Sequence, residues 1–329
     1  MDWPIAIAQG WHPVAMERDV TVRKTHRSRL LGQDLVLFRS GNQIAVFKDR
    51  CPHRGIPLSR GTVNDGIIAC PYHGWRFGPD GECVAVPGAT ACPQVSATAV
   101  PVTLAAGLVW VNLADNPAAF PNLPDAFNDT ALDRFWWKLD PSRAGLLDAL
   151  ENHLDPAHPH HVHPWLVRSP QRRRLVDVDI RFGPWGAEAI YIEKRRNLAL
   201  LSSVMEGRRS RSIGKLWPPT IGEVRLESER GGLLSIAVVF APEDEGWTRP
   251  WAHFATRKGL LPAWFKRSAL KAFHWPVLQQ DRRMLRFQQE ARTGEPYKTG
   301  PLDVLSQAIW AHANQEICAE GSRSTQMYL

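Results

Sequence analysis

Cys51-Pro-His53-Arg54-Gly55 and Cys70-Pro-Tyr72-His73-Gly74-Trp75 stand sixteen residues apart in a chain of 329. Each stretch offers one thiol and one imidazole within four residues, and each carries a proline directly after its cysteine. Two thiolates and two imidazoles are the donor set that holds a two-iron, two-sulfur cluster, thiolates on one iron and histidines on the other. Thiolates neutralise one iron, while neutral imidazoles leave the other less negatively charged. The reduction potential therefore lies above that of an all-cysteine cluster. This reading makes the chain an electron carrier and places the two loops at the tips of a sheet, where a rigid scaffold displays its ligands.

The same four residues could bind a structural zinc ion tetrahedrally. Zinc pairs are commonly spaced by two to four residues, whereas only Pro52 separates the first pair here. A third reading, buried thiols and core histidines of an ordinary sheet, leaves the matched pair of loops unexplained.

Outward from these loops, the first 130 residues read as short strands. Leu35-Val-Leu-Phe38 and Ile44-Ala-Val-Phe47 flank Gly41-Asn42, a hairpin signal, and Gly107 to Val111 adds a further strand. The Pro-rich passage from Asn116-Pro117 to Pro124-Asp125 marks a boundary. We therefore divide the chain into 1–130 and 131–329. In the second part, Val176, Val178, Ile180 and Phe182 alternate with Asp177, Asp179 and Arg181, the period of a half-buried strand. Ile190 to Ile192 gives a shorter strand. Val224 and Leu226, Gly231-Gly232, then Ile236, Val238 and Phe240 give a hairpin. Helical patterns at Leu146 to His158 and Val277 to Gln289 bracket this sheet, so the second domain is predicted as α+β on an antiparallel sheet.

Four histidines and an acid fall within Asp155-Pro-Ala-His158-Pro-His160-His161-Val-His163, in a chain with twelve histidines. His158 and His163 are five positions apart and would diverge on a straight helix. A kink at Pro159, which cannot donate to the carbonyl of Asp155, would aim both inward. Farther on, Asp281 falls among Val277, Leu278, Met284 and Leu285 on one helical face. A carboxylate there is predicted to be buried, and needs a bound cation or an arginine partner.

C-P-H-R-G followed by C-P-Y-H-G-W resembles the cluster signature of Rieske non-haem iron oxygenases, and Asp155-x-x-His158-x-x-x-x-His163 with the preceding Glu151-Asn152 resembles their mononuclear iron motif. The resemblance runs from Gly10-Trp11-His12-Pro13-Val14 to the Asp281 helix. It implies an N-terminal all-β Rieske domain and a C-terminal, helix-grip-like catalytic domain. It also implies Cys51, His53, Cys70 and His73 as cluster ligands and His158, His163 and Asp281 as ligands of a mononuclear ferrous iron, the two-histidine, one-carboxylate set with positions open for dioxygen. Asp155 would bridge the two centres, accepting the outer N–H of His158 and so fixing its tautomer. His160 and His161 are the alternative histidines, read as polar lining or surface, and Glu290 is the weaker substitute for Asp281. His153 receives no role. The membrane-complex branch of the superfamily carries extra loop cysteines where this chain has Ile56 and Tyr72, and a serine where it has Trp75. The bracing disulfide and one hydrogen bond to the cluster are thus absent, which predicts a lower potential.

The implied activity is that of an oxygenase component that activates O2 to hydroxylate or oxidatively demethylate an apolar or aromatic substrate. Aromatic-ring cis-dihydroxylation is the alternative. The implied assembly is a homotrimer in which His73 of one copy meets Asp155 of the next. A nicotinamide-dependent reductase, with or without a ferredoxin, is the partner, since the chain has no G-x-G-x-x-G fingerprint of its own. An electron-transfer protein without oxygenase activity would need only the first 130 residues, and a metal hydrolase would leave the cluster loops idle. Trp165, Trp217, Trp247 and Trp251 are candidate pocket walls.

Five cysteines, two of them committed to iron, argue against a disulfide framework, so Cys83, Cys92 and Cys318 are expected as free thiols. No apolar run is long enough to span a bilayer and the start lacks a signal-peptide pattern, so a cytoplasmic protein without a membrane partner is expected. The net charge is +7, with basic runs at Arg172-Arg173-Arg174, Lys194-Arg195-Arg196 and Arg208-Arg209-Ser210-Arg211. No nucleic-acid reader motif accompanies them. They are read as solvated faces first, and as steering for an acidic redox partner or anionic substrate second.

Overall fold

Leu35, Val36, Leu37 and Phe38 are all buried, although they sit on one strand whose side chains alternate between two faces. Both faces of that strand are therefore covered. In the computed structural model, which describes residues 3–168, 171, 173–192, 209–228, 231–294, 297–316 and 319–329, Leu35 and Leu37 join Val14, Leu30, Val46 and Val109 in one core, while Val36 and Phe38 join Phe47, Leu58, Ile68 and Phe77 in another. The expected hairpin is present: Gln33–Ser40 pairs with Gln43–Lys48, and Ser40 faces Gln43 across Gly41-Asn42, with Gly41 in the left-handed region at φ +58°.

Three small antiparallel sheets make up this unit, which spans residues 8–120 and takes in 241–245. His12–Met16, Leu108–Val111 and Val102–Ala105 form one; His26–Leu30 joins the hairpin in the second. Thr62–Asn64, Ile67–Ala69, Arg76–Phe77 and Cys83–Ala85 form the third. Chain division falls between Phe120 and Pro121, inside the Pro-rich passage and ten residues before the expected boundary at 130.

The second unit holds a nine-stranded antiparallel sheet. Its spatial order is Leu132–Lys138, Trp247–Arg257, Leu233–Asp244, Ile221–Ser228, Arg209–Trp217, Gly186–Ile192, Leu175–Gly183 and Gly321–Tyr328, with the short Ser142–Arg143 also on Trp247–Arg257. Val176, Val178 and Ile180 are buried as the alternation requires, and the strand expected at 190–192 begins earlier, at Gly186. Against this sheet lie Leu146–Leu154 and the 28-residue helix Ala263–Glu290.

Both helices differ from their predicted extents, and proline is the reason in each. The first ends at Leu154 rather than His158. Asp155 is extended at ψ 119° because the residue before a proline is driven out of the helical region, and Pro156 follows it. Pro156, not Pro159, is thus the breaker. Pro159 instead opens a new short helix, Pro159–Val162, at the first position, where its missing N–H costs nothing. The long helix starts fourteen residues before Val277 and runs through Pro276. Burial of Leu270 and Phe273 on its N-terminal half offsets the hydrogen bond that Pro276 cannot make. Arg172, Lys194-Arg195-Arg196, Arg208 and Cys318 lie outside the described residues; Cys83 and Cys92 are free thiols.

His253 is an ionisable group set into this core. It faces Trp136 across the strand pair, and its ring sits 4.8 Å from those of Phe127 and Trp136. Burial, with the Arg134 guanidinium adding to it, lowers its imidazolium to about 3. The folded protein therefore holds His253 neutral while the unfolded chain binds a proton below about pH 6.5. Stability from this group is complete above that pH and falls with acidification, by roughly 2 kcal/mol between pH 6.5 and 5 at ~1.4 kcal/mol per unit. Thermal unfolding of His253→Phe is expected to lose much of this acid-side slope; an unchanged pH profile would show that His253 does not set it.

Candidate metal centres

The two cysteine loops share one backbone design. Cys51 N–H donates to Ile56 O at 2.9 Å and Cys70 N–H to Trp75 O at 2.8 Å, five residues on in each case. Gly55 and Gly74 N–H return to the carbonyls of Cys51 and Cys70. Both glycines sit at φ +71°, and a Cβ on Gly74 would lie 2.9 Å from Pro87, so glycine is needed at both turns. The loops differ only in where the imidazole falls, at the third residue in one and the fourth in the other.

This design buries Cys51 and Cys70 against the second core and leaves His53 and His73 exposed. The imidazoles lie with ring centroids 4.8 Å apart; Trp75 stacks on His53 at 4.5 Å and 10°, and Tyr72 covers His73 at 3.8 Å. Burial pushes the Cys51 thiol up, the His53 backbone N–H acts the other way, and the neighbouring Cys70 adds to the rise. Two buried sulfurs side by side, with backbone N–H groups directed at one of them, fit a cationic iron centre that would take both as thiolates. Tyr72 occupies its expected place without a disulfide.

In the second unit three groups come together from two distant stretches. Among the described residues, His158, His163 and Asp281 form the one set of at least three metal-type donors within mutual reach, all within 4.8 Å. Asp281 Oδ1 lies 3.0 Å from His163 Nε2 and 3.5 Å from His158 Nε2. The break at Asp155-Pro156 turns the chain, so that histidines five apart in sequence point to one place. Asp281 is half-buried rather than fully buried, and its neighbours are these imidazoles, with no arginine among its ion-pair partners in the described residues.

The outer nitrogens identify the chemistry of the inner ones. His163 Nδ1 lies 2.7 Å from Gln280 Oε1, an acceptor, so the ring carries its proton there and presents the Nε2 lone pair to Asp281. A lone pair facing a carboxylate oxygen, neither with a hydrogen-bond partner, is costly in a buried site unless a cation lies between them. The donor set thus fits a ferrous ion. Burial opposes the His163 imidazolium, but the nearby Asp281 carboxylate and Gln280 amide oxygen outweigh it and raise the group above the ordinary histidine value. His158 Nδ1 lies 3.4 Å from Asp155 Oδ2, within ion-pair range though not aligned as a hydrogen bond. The Asp155 carboxylate is held in turn by the backbone N–H groups of Ala157 at 2.7 Å and His158 at 3.3 Å.

Against this centre lies a cavity of about 240 Å³. Its sheet wall is built from alternate residues of neighbouring strands, Val224 and Leu226, Ile236 and Val238, Ala252 and Phe254, and its helix wall from Phe273, Val277 and Leu278. The four expected tryptophans are not in it. Trp251 is buried in the core, Trp217 donates to Glu223, and Trp165 and Trp247 are exposed. Trp137 lines the cavity instead, along with His153 and Tyr191. Strand alternation could have flagged Trp137 only with its partner strand known. His160 is buried away from the triad, His161 touches Arg173 on the surface, and Glu290 pairs with Arg143 and Arg286 at the helix end. Gln280 carries no signal of its own in the sequence; its bond to His163 depends on a fold that joins residues 117 apart.

Residues 10–100 match the Rieske 2Fe-2S domain, and residues 143–308, half of the chain, match the vanillate O-demethylase oxygenase C-terminal domain. The oxygenase component of a 3-ketosteroid-9-alpha-monooxygenase from Mycobacterium tuberculosis is 33% identical over 168 residues, 49% of this chain and 44% of that protein. The oxygenase subunit of a 5,5'-dehydrodivanillate O-demethylase from Sphingobium is 33% identical over 201 residues, 56% and 43% of the two chains. These matches thus span less than half the length of either relative. Pseudomonas putida CBB5 NdmA, solved with caffeine, superposes with a TM-score of 0.79 at 19% identity over 98% of both chains, a likeness of fold. With both of its domains accounted for, this chain belongs to the Rieske oxygenases of the vanillate O-demethylase type, a family that uses a Rieske cluster and a mononuclear non-haem iron.

Proposed function

We propose that this chain is the oxygenase component of a multicomponent system that hydroxylates or oxidatively demethylates an apolar or aromatic substrate. The observation that carries the reading is the convergence of His158 Nε2, His163 Nε2 and Asp281 Oδ1 beside an apolar cavity, in a chain that also holds paired Cys-x-His and Cys-x-x-His loops. Cys51, His53, Cys70 and His73 would hold the cluster, and His158, His163 and Asp281 the iron. When bound, these groups supply one-electron transfer and dioxygen activation.

The chain's own residues do the rest. Gln280 holds the His163 proton on Nδ1 and so leaves the Nε2 lone pair facing inward, while the Asp155 carboxylate lies 3.4 Å from the outer nitrogen of His158. Phe254, Phe273, Val238 and Leu226 exclude water and receive an apolar ring or chain. Oxygen inserted into a methyl group on oxygen or nitrogen gives a hemiacetal or hemiaminal that releases formaldehyde, so demethylation and hydroxylation share one site. The vanillate O-demethylase match favours this chemistry over ring dihydroxylation. Exposed His53 and His73 leave the imidazole side of the cluster open to a neighbouring copy, in keeping with a homotrimer in which His73 meets Asp155 of the next subunit. A cytoplasmic NAD(P)H-dependent reductase, directly or through a ferredoxin, is the electron source this reading requires.

Wild-type protein is expected to contain about three irons and two sulfides per chain. Asp281→Ala is expected to drop to about two irons while the visible spectrum of the cluster stays unchanged. Zinc in place of iron and sulfide at the Cys/His loops would refute the cluster. Asp155→Asn is expected to keep all three irons and lose coupled turnover by at least about tenfold; turnover at the wild-type level would remove Asp155 from the route. Oxygen uptake screened against apolar methyl ethers, N-methyl heterocycles and sterols, with formaldehyde detection, tests the reaction itself. Uptake without formaldehyde and with a cis-diol product would establish dihydroxylation instead.

A further inference from the structure

The 35 residues from Gly246 to Gln280 contain six lysines and arginines and no aspartate or glutamate. In their middle, Leu260-Leu261-Pro262 leads into the helix Ala263–Glu290, and Leu260, Leu261, Trp264 and Phe265 are all exposed, Leu260 completely and Trp264 at 69%. Scattered apolar residues are normal on a protein surface, but four large exposed ones within six residues are not. Trp275, also exposed, lies eleven residues after Trp264, three helical turns along the same line of the helix and about 16 Å away. Trp275 meets Trp137 with ring centroids 6.2 Å apart, and Trp137 lines the cavity. Trp275 and Trp137 therefore link the helix face that carries the exposed turn to the cavity wall.

Cations frame this face. Arg257, Lys258 and Arg267 are exposed beside the turn, with the Arg267 guanidinium 5.9 Å from the Phe135 ring. Lys271 lies over Trp137 at 5.4 Å, and Lys266 is tied to Asp133 at 2.7 Å. Leucine, tryptophan and phenylalanine at a tip, framed by arginine and lysine, are the pattern of a segment that lies in the headgroup layer of a bilayer. No helix among the described residues is long and apolar enough to cross a membrane, so the contact is with the surface alone.

We propose that this face docks reversibly on an anionic lipid bilayer, Leu260, Leu261, Trp264 and Phe265 entering the boundary of headgroups and acyl chains while Arg257, Lys258 and Arg267 meet lipid phosphates. An apolar substrate dissolved in the bilayer then reaches the cavity along Trp275 and Trp137. This goes beyond the oxygenase reading and narrows, to surface docking, the expectation of no membrane partner. A second copy related by a two-fold axis would bring its own cations against the same cations, and a heterologous contact between copies is separated from lipid docking by the oligomeric mass. An acidic protein would match the charges and leave the apolar tip unexplained.

The metal-loaded protein is mixed with sedimentable vesicles of phosphatidylcholine alone or with phosphatidylglycerol, at low and high salt. Binding to the anionic vesicles, weakened by salt, is expected. Leu260→Ser with Trp264→Ser is expected to weaken it by about tenfold or more, from the apolar area withdrawn. Arg257→Glu with Lys258→Glu is expected to remove the preference for anionic lipid. Both double variants keep wild-type turnover of a water-soluble substrate, since none of the four lines the cavity. No vesicle binding by the wild type overturns the proposal, as does equal binding by the Leu260/Trp264 variant. A variant that instead changes oligomeric mass makes the face a contact between copies, and one that raises the KM for the reductase makes it a protein-docking site; either also overturns it. Vesicle binding is read without turnover, so its failure leaves the oxygenase reading standing.

Discussion

Two lone pairs that face each other across 3.0 Å, on His163 Nε2 and Asp281 Oδ1, are the constraint around which the second unit is organised. Neither has a hydrogen-bond partner, and His163 is almost wholly buried. In water such an approach would be cheap; in a desolvated pocket it demands a positive charge between the groups. A ferrous ion is a charge that this geometry accepts. Gln280 makes the demand specific by keeping the His163 proton on the far side of the ring. Glutamine, neutral at all pH values, accepts that N–H without becoming a competing carboxylate ligand.

What brings these groups together is a discontinuity in a helix. Asp155 serves three geometrical purposes from one position. As the residue before Pro156 it leaves the helical region, through its carboxylate it holds the backbone of Ala157 and His158, and through the same carboxylate it faces the His158 ring. A local backbone rule thus becomes an orientation of an imidazole. The cluster loops follow a comparable logic with different means: two glycines at φ +71° close five-residue turns that point sulfur inward and imidazole outward. The sulfurs are buried among Phe77 and Leu58, while the imidazoles stay at the surface.

The long helix Ala263–Glu290 joins three roles that lie far apart on it. Asp281 faces the triad, Phe273, Val277 and Leu278 wall the cavity, and Trp264 and Trp275 lie on the solvent side. Its length requires passage through Pro276, which local propensity alone would forbid. Packing of Leu270 and Phe273 outweighs that penalty, an example of tertiary burial overriding a breaker.

The amino-acid order by itself determined whatever depends on residue type at short range. Cysteine, histidine, proline and glycine within six positions specify both cluster loops, Gly41-Asn42 specifies its hairpin, and the alternation from Val176 to Phe182 specifies a strand, because each rests on contacts or backbone angles between near neighbours. Asp155, His158, His163 and Asp281 could be picked out by chemistry and resemblance, but not aimed. Tertiary structure alone decided that residues 118 positions apart, His163 and Asp281, share one point, and that Trp137 rather than Trp165, Trp217, Trp247 or Trp251 walls the cavity. Those outcomes depend on which strand lies beside which and how helices seat on the sheet. Many weak, long-range packing energies compete to settle these, and no short window of sequence contains their sum.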